Sequence, residues 1–146
     1  MTEAQEEQKP KKKRVVAALG KRKKAIARAA IREGTGNVRI NKKSLDNMEP
    51  RYLRLRLKEP IIIAGDMAKG VDIDVNVKGG GMWGQADASR TAIANALVAW
   101  HKSDALKYAY LDYDKSLMVS DSRRTEPHKP SRSTAGPRRS KQQSKR

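Results

Sequence analysis

The chain has 146 residues and a formal net charge of +17, with 33 Lys and Arg against 16 Asp and Glu. This length predicts one domain with tails, and a field of this sign attracts phosphate backbones or anionic lipid. Because the chain has no cysteine, a disulfide scaffold and a thiolate metal site are excluded. Lipid is the weaker alternative, since no stretch approaches the roughly 18 apolar residues of a membrane span.

Residues 1–14 predict a disordered charged arm, acidic at first and then strongly basic from Lys9 to Arg14. The basic run fits a nuclear-import signal, a phosphate-binding arm or simply a solvated end. No signal peptide is expected, because the arm contains no apolar run.

A globular body is predicted over residues 15–119, opening with a β-hairpin. Its first strand carries apolar residues at every second position, with Arg28 and Arg32 on the opposite face. The alternating positions are Ala25, Ala27, Ala29 and Ile31. Gly34 to Asn37 is a turn signal, and Val38 to Ile40 is predicted to return as the second strand.

A short helix is predicted next, with Ser44 at its N-terminus and Pro60 as its stop. It would contain Tyr52, Leu53 and Leu57. The apolar run from Pro60 to Gly65 is expected to be buried, but the pattern does not decide its secondary structure.

The clearest strand alternates Val71, Ile73, Val75 and Val77 with polar residues, so one face is apolar and the other wet. After a glycine loop, a helix is predicted over residues 84–102. Its core stripe is Ile93, Ala96, Leu97 and Trp100, with Asp87, Thr91, Asn95 and Lys102 on the other side. Ser103 is expected to cap a further short helix. The order of elements predicts an α+β fold, a small sheet with helices packed on one face.

Residues 79–84 satisfy the G-x-G-x-x-G pattern between a strand and a helix, and Asp104 follows about 20 residues later. A dinucleotide-binding fingerprint nevertheless needs its acid at the end of a second parallel strand, and Ser103 to Tyr113 lacks the β-branched residues for one. We therefore interpret the loop as a turn that requires glycine, with amides at the helix N-terminus free for a phosphate. Lys78 and Arg90 would add charge there.

Two clusters of cations lie in the body. Lys21 to Lys24 leads into the first strand, where Arg28 continues the patch unless this face is merely solvated. The second cluster comprises Arg51, Arg54, Arg56 and Lys58. These cations either have a functional role or are simply the exposed side of an amphipathic helix.

The remaining chemistry-bearing residues do not form a catalytic or metal site. His101 and His128 lie far apart without cysteine, so no metal is expected. The tyrosines at 108, 110 and 113 are expected to cover the core, and no exposed aromatic platform is evident. No catalytic arrangement or cofactor is predicted.

Residues 120–146 predict an extended basic tail, with nine Lys and Arg against two acids and no Val, Ile, Leu, Met or aromatic residue. Such a segment cannot bury enough surface to offset the entropy of ordering it, so we expect disorder until a polyanion binds. Backbone recognition of nucleic acid by charge and shape is the function that these features favour.

Several segments together resemble the family of the ninth protein of the small ribosomal subunit, and Glu126 to Ser131 resembles its archaeal branch. The matching segments are residues 21–29, 32–36, 77–81, 84–86, 121–126 and 144–146. The resemblance implies an α+β domain like the second domain of the fifth small-subunit ribosomal protein. It also implies binding to ribosomal RNA of the subunit head, neighbouring ribosomal proteins as partners and a location on cytoplasmic ribosomes.

The resemblance further implies a tail that runs through RNA towards the peptidyl-site transfer RNA. Where many members carry an aromatic residue near the end of the tail, this chain has Gln142 and Gln143, which implies hydrogen bonds and charge rather than stacking. The candidate RNA-binding residues in the body are Lys21, Arg22, Lys23, Lys24, Arg28, Lys78, Gly79, Gly80, Gly81 and Arg90. Those in the tail are Arg123, Arg124, Lys129, Arg132, Arg138, Arg139 and Lys141, followed by the transfer-RNA-proximal residues Ser144, Lys145 and Arg146.

The alternatives are a free cationic nucleic-acid-binding protein of the nucleoid or nucleus and, from the glycine pattern alone, a nucleotide-dependent enzyme.

Overall fold

The computed structural model describes residues 14–124, which form a five-stranded sheet with helices on one face. The strands are β1 (Val15–Arg22), β2 (Ala25–Glu33), β3 (Val38–Ile40), β4 (Lys43–Ser44) and β5 (Val71–Lys78). The helices are α1 (Arg51–Ala64), α2 (Met82–His101) and α3 (Asp104–Tyr113). The α+β class with helices on one face is confirmed. The predicted tails lie outside the described residues, apart from Arg14 and Ser120 to Arg124.

The sheet has the order β1-β2-β5-β3-β4. β1, β2 and β5 are antiparallel neighbours, β3 runs parallel to β5, and β4 pairs antiparallel with β3. The predicted alternation of β2 and β5 is confirmed, since their apolar faces are buried and the opposite faces stay accessible.

The predicted hairpin between β2 and β3 is wrong, because β5 inserts between these two strands. The loop after β2 is indeed a turn, in which the backbone amides of Thr35 and Asn37 each donate to Asp72 Oδ1 at 3.0 Å. Asn37 and Thr35 thereby hold the pKa of the Asp72 carboxyl below its ordinary value. The hairpin in this part of the chain joins β1 to β2, with Arg22 opposite Ala25 across the turn.

The predicted first helix begins and ends in the wrong places. Ser44 closes β4 and is followed by a 3₁₀ turn, Leu45–Asn47, and α1 begins only at Arg51. Pro60 lies inside α1 rather than ending it. A proline removes one helical hydrogen bond, but this one is buried in the core and its carbonyl accepts from the Tyr110 hydroxyl at 2.7 Å.

Helix α2 packs directly on the sheet through small residues. Ala88, Ala92 and Ala96 are fully buried at four-residue spacing, above the fully buried alanines of β2. At Gly20 on β1 an added Cβ would lie 2.1 Å from the Ala88 carbonyl oxygen and 2.6 Å from the Ala92 nitrogen. A helix this close to β1 leaves no room for a side chain at position 20.

The core stripe of α2 is confirmed, but the solvent-exposed face of the helix is narrower than predicted. Thr91 is buried, and its hydroxyl lies 3.1 Å from both the Asp87 and the Ser116 carbonyl oxygens. The reason is that α2 is central, with the sheet on one side and α1 and the segment after α3 on the other.

Helix α3 has the predicted cap, since Ser103 Oγ accepts from the Leu106 amide at 3.3 Å. Tyr110 is fully buried as expected, and its burial raises the pKa of the phenol. Tyr108 and Tyr113 are 69% and 59% exposed, so the prediction that they cover the core is wrong for both.

Candidate nucleic-acid interface

The β1–β2 hairpin presents cations at one end of the sheet. Lys23 and Lys24 form its turn, both exposed, with Lys23 at a φ of 51°. Across three neighbouring strands Lys21 lies opposite Ile26, and Ile26 opposite Lys78, so both lysines extend the charge onto the open sheet face. Arg28 is exposed on the same face, two residues further along β2. We call Lys21, Lys23, Lys24, Arg28 and Lys78 the hairpin patch.

Towards the other end of the open face the positive charge is neutralised. Arg32 forms an ion pair with Asp74 at 2.8 Å and lies opposite Asp72 in the β-ladder. The excess of positive charge is therefore concentrated around the hairpin turn.

The glycine loop lies directly against this turn. Gly79 and Gly80 have φ angles of 79° and 69°, a region that favours glycine. A Cβ on Gly79 would lie 2.5 Å from the Lys24 carbonyl oxygen, and one on Gly80 would lie 3.2 Å from the Ala25 nitrogen. The loop thus needs glycine both for its backbone angles and for its approach to the hairpin.

Helix α2 starts from this loop without a side-chain cap at Gly81 and without an acid in its first turn. Its first amides consequently point towards the end of the sheet that carries the hairpin patch. The dinucleotide fingerprint fails at its second part, since Asp104 opens α3 instead of ending a strand.

An open cleft of about 230 Å³ lies between the end of β1, α1, α2 and the start of the tail. We call it the arginine cleft. Its charged lining includes Lys21, Arg22, Arg56, Asp87, Asp121 and Arg123. Arg56 donates to Asp87 at 2.6 Å, and the Arg22 Nε lies 3.6 Å from the same carboxylate. The bond to Asp87 raises the pKa of the Arg56 guanidinium. Cations still outnumber acids on these walls.

Arg90 does not have the predicted role, since its side chain is only 4% exposed. Its Nε lies 2.7 Å from Glu59 Oε2 and its Nη2 lies 2.8 Å from Asp114 Oδ2. A guanidinium already paired twice and closed off from solvent is not available to RNA. Arg90 instead joins α2 to α1 and to the end of α3.

The second cationic cluster is also largely occupied within the body. Arg54 donates to the Asp46 carbonyl at 2.8 Å, and Lys58 forms an ion pair with the Asp46 carboxylate at 2.6 Å. The Lys58 partner holds the pKa of Asp46 below its ordinary value. Arg51 is exposed. These contacts favour a structural role for most of the cluster.

The root of the tail returns to the hairpin end of the molecule. Asp121 pairs with Arg22 of β1, and the Arg123 guanidinium lies 2.8 Å from Asp121. Arg123 itself is 81% exposed, and Arg124 follows it on the surface. The remaining tail candidates lie outside the described residues: Lys129, Arg132, Arg138, Arg139, Lys141, Ser144, Lys145 and Arg146.

The sequence indicated no exposed aromatic platform, but four aromatic side chains within residues 14–124 are exposed: Tyr52, Trp83, Tyr108 and Tyr113. Trp83, in the first turn of α2, is 51% exposed, whereas Trp100 is buried and carries Arg14 over its ring at 4.5 Å. The exposure of Trp83 could have been inferred from its position on the helix, because it lies off the apolar stripe that includes Trp100.

Within residues 14–124 no group of three His, Cys, Asp or Glu side chains is arranged to hold a metal ion. In that same part of the chain, none of the helices has the length and apolar character needed to span a membrane.

Comparison with known proteins gives the family. The model of the family described as ribosomal protein S9/S16 matches residues 20–146. The small ribosomal subunit protein uS9 of Methanococcus maripaludis is 52% identical over 131 residues, which cover 90% of this chain and 98% of that protein. The uS9 protein of Methanococcus vannielii matches with the same identity and coverage. The chain therefore belongs to the ribosomal protein S9 family, in its archaeal type, and is a structural component of the small ribosomal subunit rather than an enzyme.

Proposed function

We propose that the hairpin patch and the glycine loop bind the backbone of ribosomal RNA in the head of the small subunit. The observation that carries the proposal is the convergence of separate parts of the chain at one end of the sheet. The β1–β2 turn, the last residue of β5, the uncapped start of α2 and the root of the tail all meet there.

Backbone recognition suits this surface because its donors are charges and amides without a base-reading helix. The glycine loop brings peptide groups to the surface, and the lysines around it supply the long-range attraction. Family membership favours RNA of a cytoplasmic ribosome over the polyanions available to a free nucleoid or nuclear protein.

The first test replaces Lys23 and Lys24 by Gln and measures binding to purified small-subunit ribosomal RNA over a range of salt. Each lost phosphate contact lowers the slope of log affinity against log salt by about one, so the double variant should lose about two. Lys102 and Lys107, exposed beyond the far end of α2, give a control with the same change of net charge. Equal slopes for the parent and the Lys23/Lys24 variant would contradict the proposal.

The second part of the proposed function concerns the basic tail. It leaves the body beside the hairpin patch, and we propose that it continues through RNA so that Ser144, Lys145 and Arg146 contact the peptidyl-site transfer RNA. Charge-assisted hydrogen bonds to phosphate are the contacts that these residues can make, since the tail offers no aromatic side chain.

Deleting residues 144–146 tests this part. We expect normal entry of the protein into small subunits on sedimentation and about tenfold weaker transfer-RNA binding at the peptidyl site, equal to about 1.4 kcal/mol. Replacing Gln142 and Gln143 by Ala tests the hydrogen bonds of the neighbouring residues separately, because it removes two amide side chains without removing charge. Failure of the truncated protein to enter subunits would instead assign the tip to assembly.

A further inference from the structure

Trp83 is an exposed aromatic residue in the first turn of α2, next to the glycine loop. It is one of two tryptophans in the chain, and it leaves 51% of its surface open to solvent next to Met82, which is 59% exposed. Burying an indole is strongly favourable, so an indole left at the surface among charges is a group that a partner can cover.

Helical geometry places Trp83 one turn before Asp87, a residue of the arginine cleft. Residues 83, 87, 90 and 91 of α2 share one face, at spacings of i, i+4, i+7 and i+8. Asp87, Arg90 and Thr91 line the cleft. Side chains on a helix lean towards its N-terminus, which directs Trp83 from the cleft towards the glycine loop.

Cations lie on both neighbouring features, the hairpin turn and the cleft, and the acid one helical turn from Trp83, Asp87, is paired with Arg56. Lys23 and Lys24 lie beyond the glycine loop, and the exposed Arg123 lies on the cleft wall. A protein partner is less well suited to the site, because lysine, the cation of the neighbouring hairpin turn, is depleted at protein interfaces. An aromatic face bordered by Lys and Arg is instead the arrangement that holds unpaired bases and their phosphates.

We propose that Trp83 is a stacking platform for one unpaired nucleobase of the ribosomal RNA, with the adjacent phosphates held by the hairpin patch and Arg123. This inference rests on the proposed function and specifies it further. The protein then recognises not only backbone charge but also a nucleotide turned out of a helix at this point.

The test compares Trp83→Ala and Trp83→Phe with the parent in binding to purified small-subunit ribosomal RNA. Loss of one stacked base predicts roughly 5- to 150-fold weaker binding for Trp83→Ala, and Trp83→Phe should retain most of the affinity. The salt slope should stay unchanged in both variants, because no phosphate contact is removed. That invariance separates stacking from the effect of the Lys23 and Lys24 substitutions.

Fluorescence supplies a second readout in the full chain. Stacking should quench the emission of Trp83 on RNA binding in the parent, whereas Trp83→Phe, with only the buried Trp100, should show little quenching. Thermal unfolding of each variant checks that the fold is retained, as expected at an exposed position.

Parental affinity of Trp83→Ala for RNA, or no quenching in a parent that binds, would overturn the platform. Such a result leaves the proposed function intact, since the parent still binds with a steep salt slope. If Trp83→Ala binds free RNA normally and fails only in subunit assembly with other proteins, the indole contacts protein and the inference is wrong. Absence of salt-dependent binding by the parent would instead refute the proposed function.

Discussion

Replacing Arg90 by Ala should lower the free energy of unfolding by about 3 kcal/mol, the lower end of the loss typical of breaking a buried ion pair, because both carboxylates keep contact with water. The side chain is 4% exposed and pairs with Glu59 at 2.7 Å and Asp114 at 2.8 Å. Its removal leaves the carboxylates of Glu59 and Asp114, which are 26% and 36% exposed, without their shared partner. Urea unfolding followed by circular dichroism measures the change.

Two further variants identify the origin of this loss. Arg90→Lys keeps the charge but not the planar fork that reaches both carboxylates, so its stability should lie between parent and Arg90→Ala. Combining Arg90→Met with Glu59→Gln and Asp114→Asn removes all three charges and should restore much of the stability. A triple variant no more stable than Arg90→Ala would show that packing, not charge pairing, dominates at this site.

The titration of Asp114 makes the difference in unfolding free energy between the parent and Arg90→Ala depend on pH. Its burial acts to raise the pKa, but hydrogen bonds from Ser116 and Arg90 outweigh this effect and hold the pKa below the ordinary value of 3.8. A lowered folded-state pKa contributes stability that is present above the ordinary value and is lost as the pH falls through the folded pKa. The gap in stability between parent and Arg90→Ala should therefore narrow below about pH 4.

Replacing Gly20 by Ala should destabilise the protein by about 3 kcal/mol, the upper end of the usual range for overpacking. In most strands this substitution is favourable, because glycine loses more conformational freedom on folding. Here the new Cβ would lie 2.1 Å from a backbone oxygen of α2. A backbone atom cannot rotate away, so the whole helix must move off the sheet.

Gly70 offers the matched control for this substitution. An added Cβ there meets nothing within 4 Å, so Gly70→Ala should be neutral or stabilise the protein by about 0.4–1 kcal/mol. Urea unfolding of the two variants should move in opposite directions. If Gly20→Ala were as stable as the parent, α2 would have to lie further from β1 than described.

Hydrophobic periodicity was sufficient to predict the elements whose pattern is contained in a short stretch of sequence. The alternation in β2 and β5, the stripe on α2 and the Ser103 cap of α3 are each written within a few consecutive residues. Which strands pair with each other could not be predicted in the same way. A turn after β2 is compatible with a hairpin, and only the arrival of β5 from far along the chain decides that the two strands are separated.

Pro60 and Arg90 show the same limit for single residues. A proline in the middle of an isolated helix breaks it, but burial in the core and the Tyr110 contact make one tolerable here. An arginine in the first turns of a helix after a glycine loop is typical of anion binding. Its burial depends on two carboxylates that are distant in sequence.

The sequence by itself determined the α+β class, the strong positive charge, the glycine turn and the resemblance that leads to the ribosome, because composition, period and motif are properties of neighbouring residues. Only the tertiary structure decided which cations face solvent, which are paired inside, and that Trp83 is left exposed in the first turn of α2. The physical reason is that burial and pairing depend on distances between segments, which the order of residues along a chain does not specify.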